Sequence, residues 1–268
     1  MITIRASYLT GYNDCSRRVA ARLFKQTVES MGYVLRDTPK NAGSIIGTGV
    51  HAGACSILTE KAGGLDVPHE GAAVDAGVMA VDAEMESGEV LFDDVTKNES
   101  DIKKQVHKKI LQFNDEVTPE INPVATEERM NAVISDSFIL SGQVDWREDG
   151  AIGDLKTGKM QQFNAPQYGA YSLLLRSSGL EVNCINEFYL KVENLSKPNT
   201  KAKKTSYDTE QCESMAQATI ADMVSDYEKF VATGNRFSFR ANPSSLLCSD
   251  KYCPAWGTNF CREHEKNG

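Results

Sequence analysis

The sequence predicts a mixed α/β (α+β) protein in which a central mixed β-sheet is flanked by helices. Three observations predict it: apolar residues recur at helical spacing before residue 120, alternate with polar residues after it, and then return to helical spacing. We expect a single domain over 1–268, long enough to bury a substantial core. Its parts are a mainly helical segment (1–120), a sheet with one helix (121–192), a strand and helix (193–240) and a cysteine-rich tail (241–268).

The first part contains four segments with helical spacing. In the last of them, Ile102, Val106, Ile110 and Phe113 form one apolar stripe. At the start of the first, Ser7 stands where its side chain can cap the helix. The predicted helices cover 7–32, 47–61, 70–88 and 100–115.

Strands are predicted in the middle of the chain, where apolar and polar residues alternate, and again after one further helix, where β-forming residues are enriched. The strands cover 123–133, 138–146, 150–158 and 184–193, and two later helices cover 162–177 and 209–234. The lysine-rich stretch 197–205 is predicted to be a loop, and the tail from 242 onward shows neither period. Helices, then a sheet, then helices is the order typical of α+β proteins.

The formal net charge of −8 argues against a protein that coats nucleic acid through its bulk charge, although a locally basic groove is compatible with it. Two basic clusters are candidates for such a groove or for a solvated face: Arg17, Arg18, Arg22 and Lys25, and the four lysines of 197–204. No apolar run approaches the roughly 18 to 20 residues of a membrane span, and the N-terminus lacks the apolar core of a signal peptide. We therefore expect a cytoplasmic protein without membrane contact.

A hairpin centred on Asp149-Gly150 carries the first candidate site, because this dipeptide favours a two-residue turn. Counting outward from the turn places Asp145 opposite Asp154, and Gln143 opposite Lys156. Directly opposite β-carbons lie about 4.5–5.5 Å apart, so two carboxylates there repel unless a cation lies between them. The spacing suits one hard divalent ion, Mg²⁺ or Mn²⁺. A solvated surface hairpin is the alternative, but apolar residues on both faces of the hairpin argue against it.

Four motifs in order resemble the RecB-like branch of the PD-(D/E)XK nuclease superfamily. GQVD at 142–145 followed by DLK at 154–156 resembles the acid and the (D/E)-x-K triplet of the superfamily. QYGAY at 167–171 is similar to the Q-x-x-x-Y signature of the branch, and GTGVH ending in His51 resembles its first motif. The resemblance covers the whole chain and implies a restriction-endonuclease-like core.

The resemblance assigns roles to individual residues. It implies that Asp145 and Asp154 are metal ligands, that Leu155 lends its main-chain carbonyl, and that His51 is a further ligand. Lys156 would orient or activate the attacking water and offset the charge of the phosphate.

Three more residues receive roles from the same resemblance. Members of the family often carry a glutamate one strand earlier, for which the chain offers Glu127 and Glu128; Glu127 is favoured as a catalytic or metal-binding group. Gln167 and Tyr171 lie four residues apart on one helix face, where they would support the site and contact DNA.

The cysteines suggest a second centre. Similar proteins hold an iron–sulfur cluster with one cysteine near the N-terminus and three near the C-terminus, which here would be Cys15, Cys248, Cys253 and Cys261. The spacing C-x4-C-x7-C departs from the family's C-x2-C-x5-C. A [4Fe-4S] cluster, a tetrahedral Zn²⁺ site and free thiols are therefore all open.

The function implied is a Mg²⁺- or Mn²⁺-dependent DNA nuclease, an exonuclease or end-processing enzyme of phage or prophage DNA recombination or repair. Its substrate would be single- or double-stranded DNA ends, with a phage single-strand annealing protein or a helicase as candidate partners. The alternative is a non-catalytic accessory subunit that binds DNA ends and keeps the nuclease fold. A zinc-stabilised regulatory protein is a third possibility. The acid pair with its lysine favours the enzyme.

Overall fold

The computed structural model describes residues 1–65 and 69–262, and its elements follow one another along the chain as helices, sheet and helix. The strands are β1 Ile2–Arg5, β2 Lys40–Asn41, β3 Val90–Leu91, β4 Ala125–Ser135, β5 Phe138–Glu148, β6 Ala151–Gly158, β7 Cys184–Lys191 and β8 Lys203–Tyr207. The helices are α1 Ser7–Asp14, α2 Ser16–Leu23, α3 Lys25–Ser30, α4 Ala42–Ala62, α5 Glu70–Glu86, α6 Glu99–Glu116, α7 Ala165–Ser177 and α8 Thr209–Thr233.

The main sheet has six strands in the order β1-β5-β6-β7-β8, with β4 also paired to β5. The β1–β5 and β6–β7 pairs are parallel and the others antiparallel, so the predicted mixed sheet is confirmed. Because β4 occupies one edge of β5, β1 and β6 must share the other edge, at 138–141 and 146–148 respectively. The stretch 142–145 between them has no ladder partner on that edge, and the sheet forks there.

Helices cover the two faces of this sheet and enclose two apolar cores. The first core joins α1, α2, α3, α7 and α8 to the sheet, for example through Leu9, Leu174 and Phe230. The second joins α4, α5 and α6 to the other face, for example through Ile110 and Trp146. Both faces of the hairpin are therefore covered, as its apolar residues predicted.

Helices α4, α5 and α6 pack unusually closely. A β-carbon added to Gly53 of α4 would lie 2.3 Å from the Cδ1 atom of Ile110 and 2.9 Å from the carbonyl oxygen of Ala73, so only glycine fits. Helix α4 is long and apolar enough to cross a membrane, by length and composition alone, which we did not predict from the sequence. Half of its most apolar segment is buried inside the fold. Core packing accounts for that apolar character.

The predicted helix 7–32 is wrong, because it is three short helices. Cys15 is extended, with φ −152° and ψ 97°, and separates α1 from α2. Phe24, with φ −108° and ψ 26°, separates α2 from α3. Ser7 is not the capping residue either, since α1 is preceded by Ala6 and has no side-chain cap. The breaks turn the segment around the first core, and periodicity alone does not reveal them.

Two strands of the main sheet were missed, as were the two-residue strands β2 and β3. β1 is four residues long and precedes the first predicted helix. β8 lies where a loop was predicted over 197–205; it begins at Lys203 and pairs with β7 through Tyr189. Its lysines and exposed positions are typical of an edge strand, whose pairing comes from its neighbour rather than from its own propensity.

Candidate metal centre

The centre lies at the fork in the sheet, where two strand ladders are interrupted at the same level. Thr126 pairs with Trp146 and Glu128 with Val144, which leaves Glu127 and Asp145 opposite each other outside the ladder. Glu127 has a left-handed φ of 50° and is the only non-glycine residue with positive φ in the described chain. Such a conformation is costly for a side chain of this kind and concentrates at functional sites.

The predicted hairpin register is confirmed up to the acids. Trp146 pairs with Gly153, and the ladder ends there, so Asp145 and Asp154 are level but are not joined by backbone hydrogen bonds. The N–H of Leu155 instead donates to Oδ2 of Asp145 at 2.7 Å. A β-carbon on Gly153 would lie 1.9 Å from the ring of Trp146, so glycine is required beneath that ring.

Three potential ligands converge at this point. His51 on α4, Glu127 on β4 and Asp145 on β5 each offer one donor atom, and these atoms all lie within 4.8 Å of one another. Nδ1 of His51 is 3.2 Å from Oδ1 of Asp145. Two carboxylates and an imidazole in this arrangement form a donor set for one divalent cation.

The structure also separates the two neighbouring glutamates. Glu127 accepts a hydrogen bond from the side-chain amide of Gln143 within the centre. Glu128 points elsewhere, with Oε2 3.1 Å from Nε of Arg147. Of the two candidates, Glu127 is therefore the one placed among the potential ligands.

The charges of this donor set are strongly coupled. Burial raises the pKa of Glu127, and the nearby charge of Asp145 raises it further. Burial acts to lower the pKa of His51, but the charge of Asp145 and their hydrogen bond outweigh it, so the net change is upward. Burial acts to raise the pKa of Asp145, and the charge of His51 reverses this to a net lowering. His51 and Asp145 therefore each shift the pKa of the other toward the charged form.

Asp154 and Lys156 form the adjacent half of the site. Asp154 is 1% exposed, and its Oδ2 lies 2.6 Å from Nζ of Lys156 and accepts from the hydroxyl of Tyr168 at 3.1 Å. Oδ1 of Asp154 is buried and has no hydrogen-bond partner in the described part of the chain. Burial, with help from the charge of Asp145 and against that of Lys156, raises the pKa of Asp154 to about 6.

Sequence reasoning missed a second buried acid beside Asp154. Glu187 on β7 is level with Asp154 and is fully buried. It accepts hydrogen bonds from the side-chain amides of Gln161 (2.5 Å) and Asn164 (3.2 Å) and from the hydroxyl of Tyr168. Tyr168 is buried, and its hydroxyl links the two acids. An acid inside the apolar run of β7 was the available signal.

Gln167 and Tyr171 share a helix face, as predicted. Nε2 of Gln167 donates to the Tyr171 hydroxyl at 2.6 Å. A β-carbon on Gly142 would lie 2.9 Å from the ring of Tyr171, so α7 packs directly on the strand that carries Asp145. Burial raises the pKa of Tyr171 well above its ordinary value. The pair supports the fork, and its contact with DNA remains a prediction.

The four candidate cysteines line a single cavity, although they are far apart in sequence. Cys15, Cys248, Cys253 and Cys261 all border it, together with Arg18. Burial raises the pKa of the Cys253 thiol, and the nearby Cys15 and Cys248 contribute.

The N-terminal basic cluster contacts the tail, and only Arg17 and Arg18 of its four members are buried. The backbone N–H of Arg17 donates to the carbonyl of Arg240 at 3.1 Å. Arg18 donates to Oγ of Ser245 at 3.0 Å, and Arg22 to the carbonyl of Tyr252 at 2.7 Å. Lys25, by contrast, is exposed and pairs with Asp37 at 3.2 Å. Arg17 and Arg18 are thus buried, whereas Arg22 and Lys25 are exposed, although Arg22 also contacts the tail.

Comparison with known proteins gives a fold and no sequence family. No protein-family model matches the chain, and no curated protein matches its sequence. A crystal structure from Eubacterium rectale, described as a "putative exonuclease", has a TM-score of 0.56 at 10% identity and covers 92% of this chain and 86% of that one. A second structure, SSO0001, is 13% identical and covers 87% and 85%, but its TM-score of 0.34 is too low to indicate a shared fold. The first likeness shows that this chain shares its fold, a mixed sheet flanked by helices, with that protein.

Proposed function

We propose that the protein is a divalent-metal-dependent deoxyribonuclease of the RecB-like PD-(D/E)XK type, an exonuclease or end-processing enzyme that hydrolyses phosphodiester bonds. The observation that carries the proposal is the convergence of His51, Glu127 and Asp145 within 4.8 Å. The Asp154–Lys156 ion pair adjoins this set, at 2.6 Å. The fold of the E. rectale protein supports the same class of enzyme.

The residues fit a Mg²⁺ or Mn²⁺ ion on the chemistry of their donors. Carboxylate oxygens suit both ions, and the imidazole of His51 adds a softer ligand that Mn²⁺ accepts more readily. The unpartnered Oδ1 of Asp154 is a buried acceptor, which costs about 1–3 kcal/mol when left unsatisfied. A cation at the fork would satisfy that atom and relieve the repulsion between Glu127 and Asp145.

Each side chain has a task in the proposed reaction. Glu127, Asp145 and His51 would hold the cation, together with Asp154 and the carbonyl of Leu155. When bound, the cation supplies a Lewis acid that stabilises charge on the phosphate and lowers the pKa of water. Lys156 donates to a phosphate oxygen, since Asp154 holds its ammonium group at the fork. Burial acts to lower the pKa of Lys156, but the charges of Asp154 and Asp145 outweigh it and give a net increase, which favours the charged form.

We further propose that Cys15, Cys248, Cys253 and Cys261 hold a [4Fe-4S] cluster. Four thiols around one cavity support it. The family pattern that names these four cysteines is an iron–sulfur one, and a tetrahedral Zn²⁺ site is the alternative. The substrate would be DNA ends of phage or prophage recombination or repair, with an annealing protein or a helicase as partner.

The decisive experiment is digestion of end-labelled single- and double-stranded DNA with Mg²⁺ or Mn²⁺, beside a chelated sample. Lys156→Ala is expected to be inactive. Lys191→Ala, one strand away, is the matched control because Lys191 is exposed and outside the fork. If the parental protein binds DNA ends but never cuts them, the proposal of a nuclease is wrong, and the alternative of a non-catalytic accessory subunit takes its place.

A further inference from the structure

A row of cations crosses the sheet just beyond the acids. Arg129 on β4 pairs with Gln143 on β5, while Lys156 on β6 pairs with Tyr189 on β7, which in turn pairs with Lys203 on β8. Residues that are level across a continuous ladder share one face, and neighbouring strands are about 4.8 Å apart. Lys156 and Lys203 therefore lie on one face, two strands or about 10 Å apart. Arg129 lies across the fork, beside Gln143 on the face of β5 that carries Asp145, and the three residues are here called the cationic row.

The two outer members of the cationic row are exposed, and their observed partners are neutral. Nη2 of Arg129 donates to Oε1 of Gln143 at 3.1 Å, and Nζ of Lys203 donates to Oε1 of Gln161 at 2.8 Å. Neither cation is within 4.0 Å of a carboxylate anywhere in the described residues. In a chain of net charge −8, two such cations on the face of the candidate site indicate an anionic ligand.

Apolar side chains stand beside the cationic row. Met160 and Phe163, here called the apolar platform, lie in the connection between β6 and α7 and are 69% and 58% exposed. The ring of Phe163 lies 6.2 Å from that of Tyr207, with a 50° angle between the planes, so the tyrosine side chain lies beside the phenyl ring.

The connection that carries the apolar platform is anchored and cannot easily fold inward. Gln161 donates to Glu187 at 2.5 Å and to Thr205 at 3.2 Å, and Asn164 donates to Glu187 at 3.2 Å. Because Glu187 is fully buried, these bonds tie both ends of the connection to the sheet. The platform is thus held in solvent next to the acids, an arrangement that serves a ligand better than it serves the fold.

We propose that the apolar platform stacks unpaired bases of a single-stranded end while the cationic row binds its phosphates. This inference rests on the proposed nuclease function and names its substrate form. Stacking on aromatic side chains with cations along the backbone is the general mode of single-strand binding. In a duplex the base faces are already stacked on each other, so an exposed phenyl ring next to a row of cations fits an unpaired strand and not an intact duplex.

The test is a binding titration without divalent metal, using a fluorescein-labelled oligothymidylate of 20 nucleotides and a duplex of equal length. Phe163→Ala should weaken single-strand binding about tenfold or more, and leave duplex binding almost unchanged. Phe163→Trp should restore binding, and its added fluorescence should be quenched by the oligonucleotide. Phe237→Ala is the matched control, since Phe237 is 65% exposed and lies near Arg17, in the region that holds the tail.

The cationic row is tested by the salt dependence of the same titration. Arg129→Gln and Lys203→Gln should each flatten the plot of log affinity against log salt by about 0.7. If Phe163→Ala weakened the binding of duplex and single strand equally, or weakened neither, the proposed role of the apolar platform would be wrong. If that result were obtained while the parental protein cuts DNA, the proposed nuclease function would stand and only the role of the platform would be wrong. If the parental protein never cut DNA but its single-strand binding depended on Phe163, the role of the platform would stand and the proposed nuclease function would be wrong.

Discussion

The metal centre at the fork and the cysteine cavity both bring together side chains from distant parts of the chain, but they do so in different ways. At the fork, Asp145, Asp154 and Glu127 are placed by strand register, and most of their oxygens have hydrogen-bond partners. At the cavity, the thiols come from a break between two helices and from a tail without regular structure. The tail is held by arginine contacts with its backbone and side chains.

The difference indicates what each centre contributes. The acids are held in position by strand register and by hydrogen bonds within the sheet, at the cost of packing like charges together. A cation there should therefore change chemistry more than folding. The thiols have no strand or helix to hold them, so a cluster would close a loop between Cys15 and the tail and should change folding more than chemistry.

The largest effect should come from removing one charge at the fork. Asp145→Asn keeps the shape of the side chain but loses a ligand charge, and it should reduce cleavage at least 100-fold, the scale of losing one preorganised electrostatic group. Its melting temperature and its colour should match those of the parent. Asp136→Asn, in the exposed turn between β4 and β5, is the control. Parental activity in a well-folded Asp145→Asn protein would remove this residue from the site.

At the cavity the opposite pattern is expected. Cys261→Ser should lose the brown colour and most of the iron of anaerobically purified protein. Its stability should fall by several kcal/mol, by analogy with opening a long cross-linked loop, which corresponds to a melting temperature roughly 10 °C lower. Cys184→Ser is the control, because Cys184 lies on β7 outside the cavity. Colourless, iron-free protein as stable as Cys261→Ser would exclude the cluster, and one zinc per chain would indicate the alternative metal.

The fork illustrates how far sequence patterns reach. The Asp149-Gly150 turn sets the register, and the register makes Asp145 and Asp154 level, so local chemistry predicted the acid pair. The apolar spacing around His51 predicted α4. These inferences succeed because turn geometry and strand alternation are local properties of the chain.

What could not be predicted depends on contacts between distant segments. The φ of Glu127 is fixed by the interrupted ladder with β5, and the extended Cys15 by the tail that packs against it. Glu187 is recognisable as a site residue only when β6 and β7 pair in parallel. The four cysteines were predicted from their likeness to a family pattern. The cavity that they share could be seen only in the three-dimensional structure.

A smaller effect at the fork should separate binding from folding. His51→Ala removes one donor of several, so Mn²⁺ affinity should fall by about tenfold or more without being lost, the range found when supports of a metal site are removed. Isothermal titration calorimetry measures it, with His107→Ala on exposed α6 as the control. Unchanged Mn²⁺ affinity would return His51 to a structural role.

The smallest effect concerns the metal-free protein, in which Asp154 should be a source of instability. Its folded-state pKa of about 6 is above its ordinary value of 3.8. Between these two pH values the folded state binds more protons than the unfolded state, so the free energy of unfolding falls as pH rises toward 6. Above pH 6 this penalty is complete.

Asp154→Asn should therefore make the metal-free protein more stable at pH 7, by at most about 3 kcal/mol, since each pKa unit is worth about 1.4 kcal/mol. Loss of the ion pair with Lys156 offsets part of this gain. Near pH 4 the advantage should disappear, because wild-type Asp154 is then protonated in the folded state. Urea unfolding in chelator at both pH values measures the difference, and added Mn²⁺ should reverse it, because a cation stabilises the parent through the ligand that the variant has lost. If Asp154→Asn were instead less stable than its parent at pH 7, the ion pair with Lys156 would outweigh the repulsion from Asp145. Asp154 would then not destabilise the metal-free protein, and the fork would not need a cation to offset its charge.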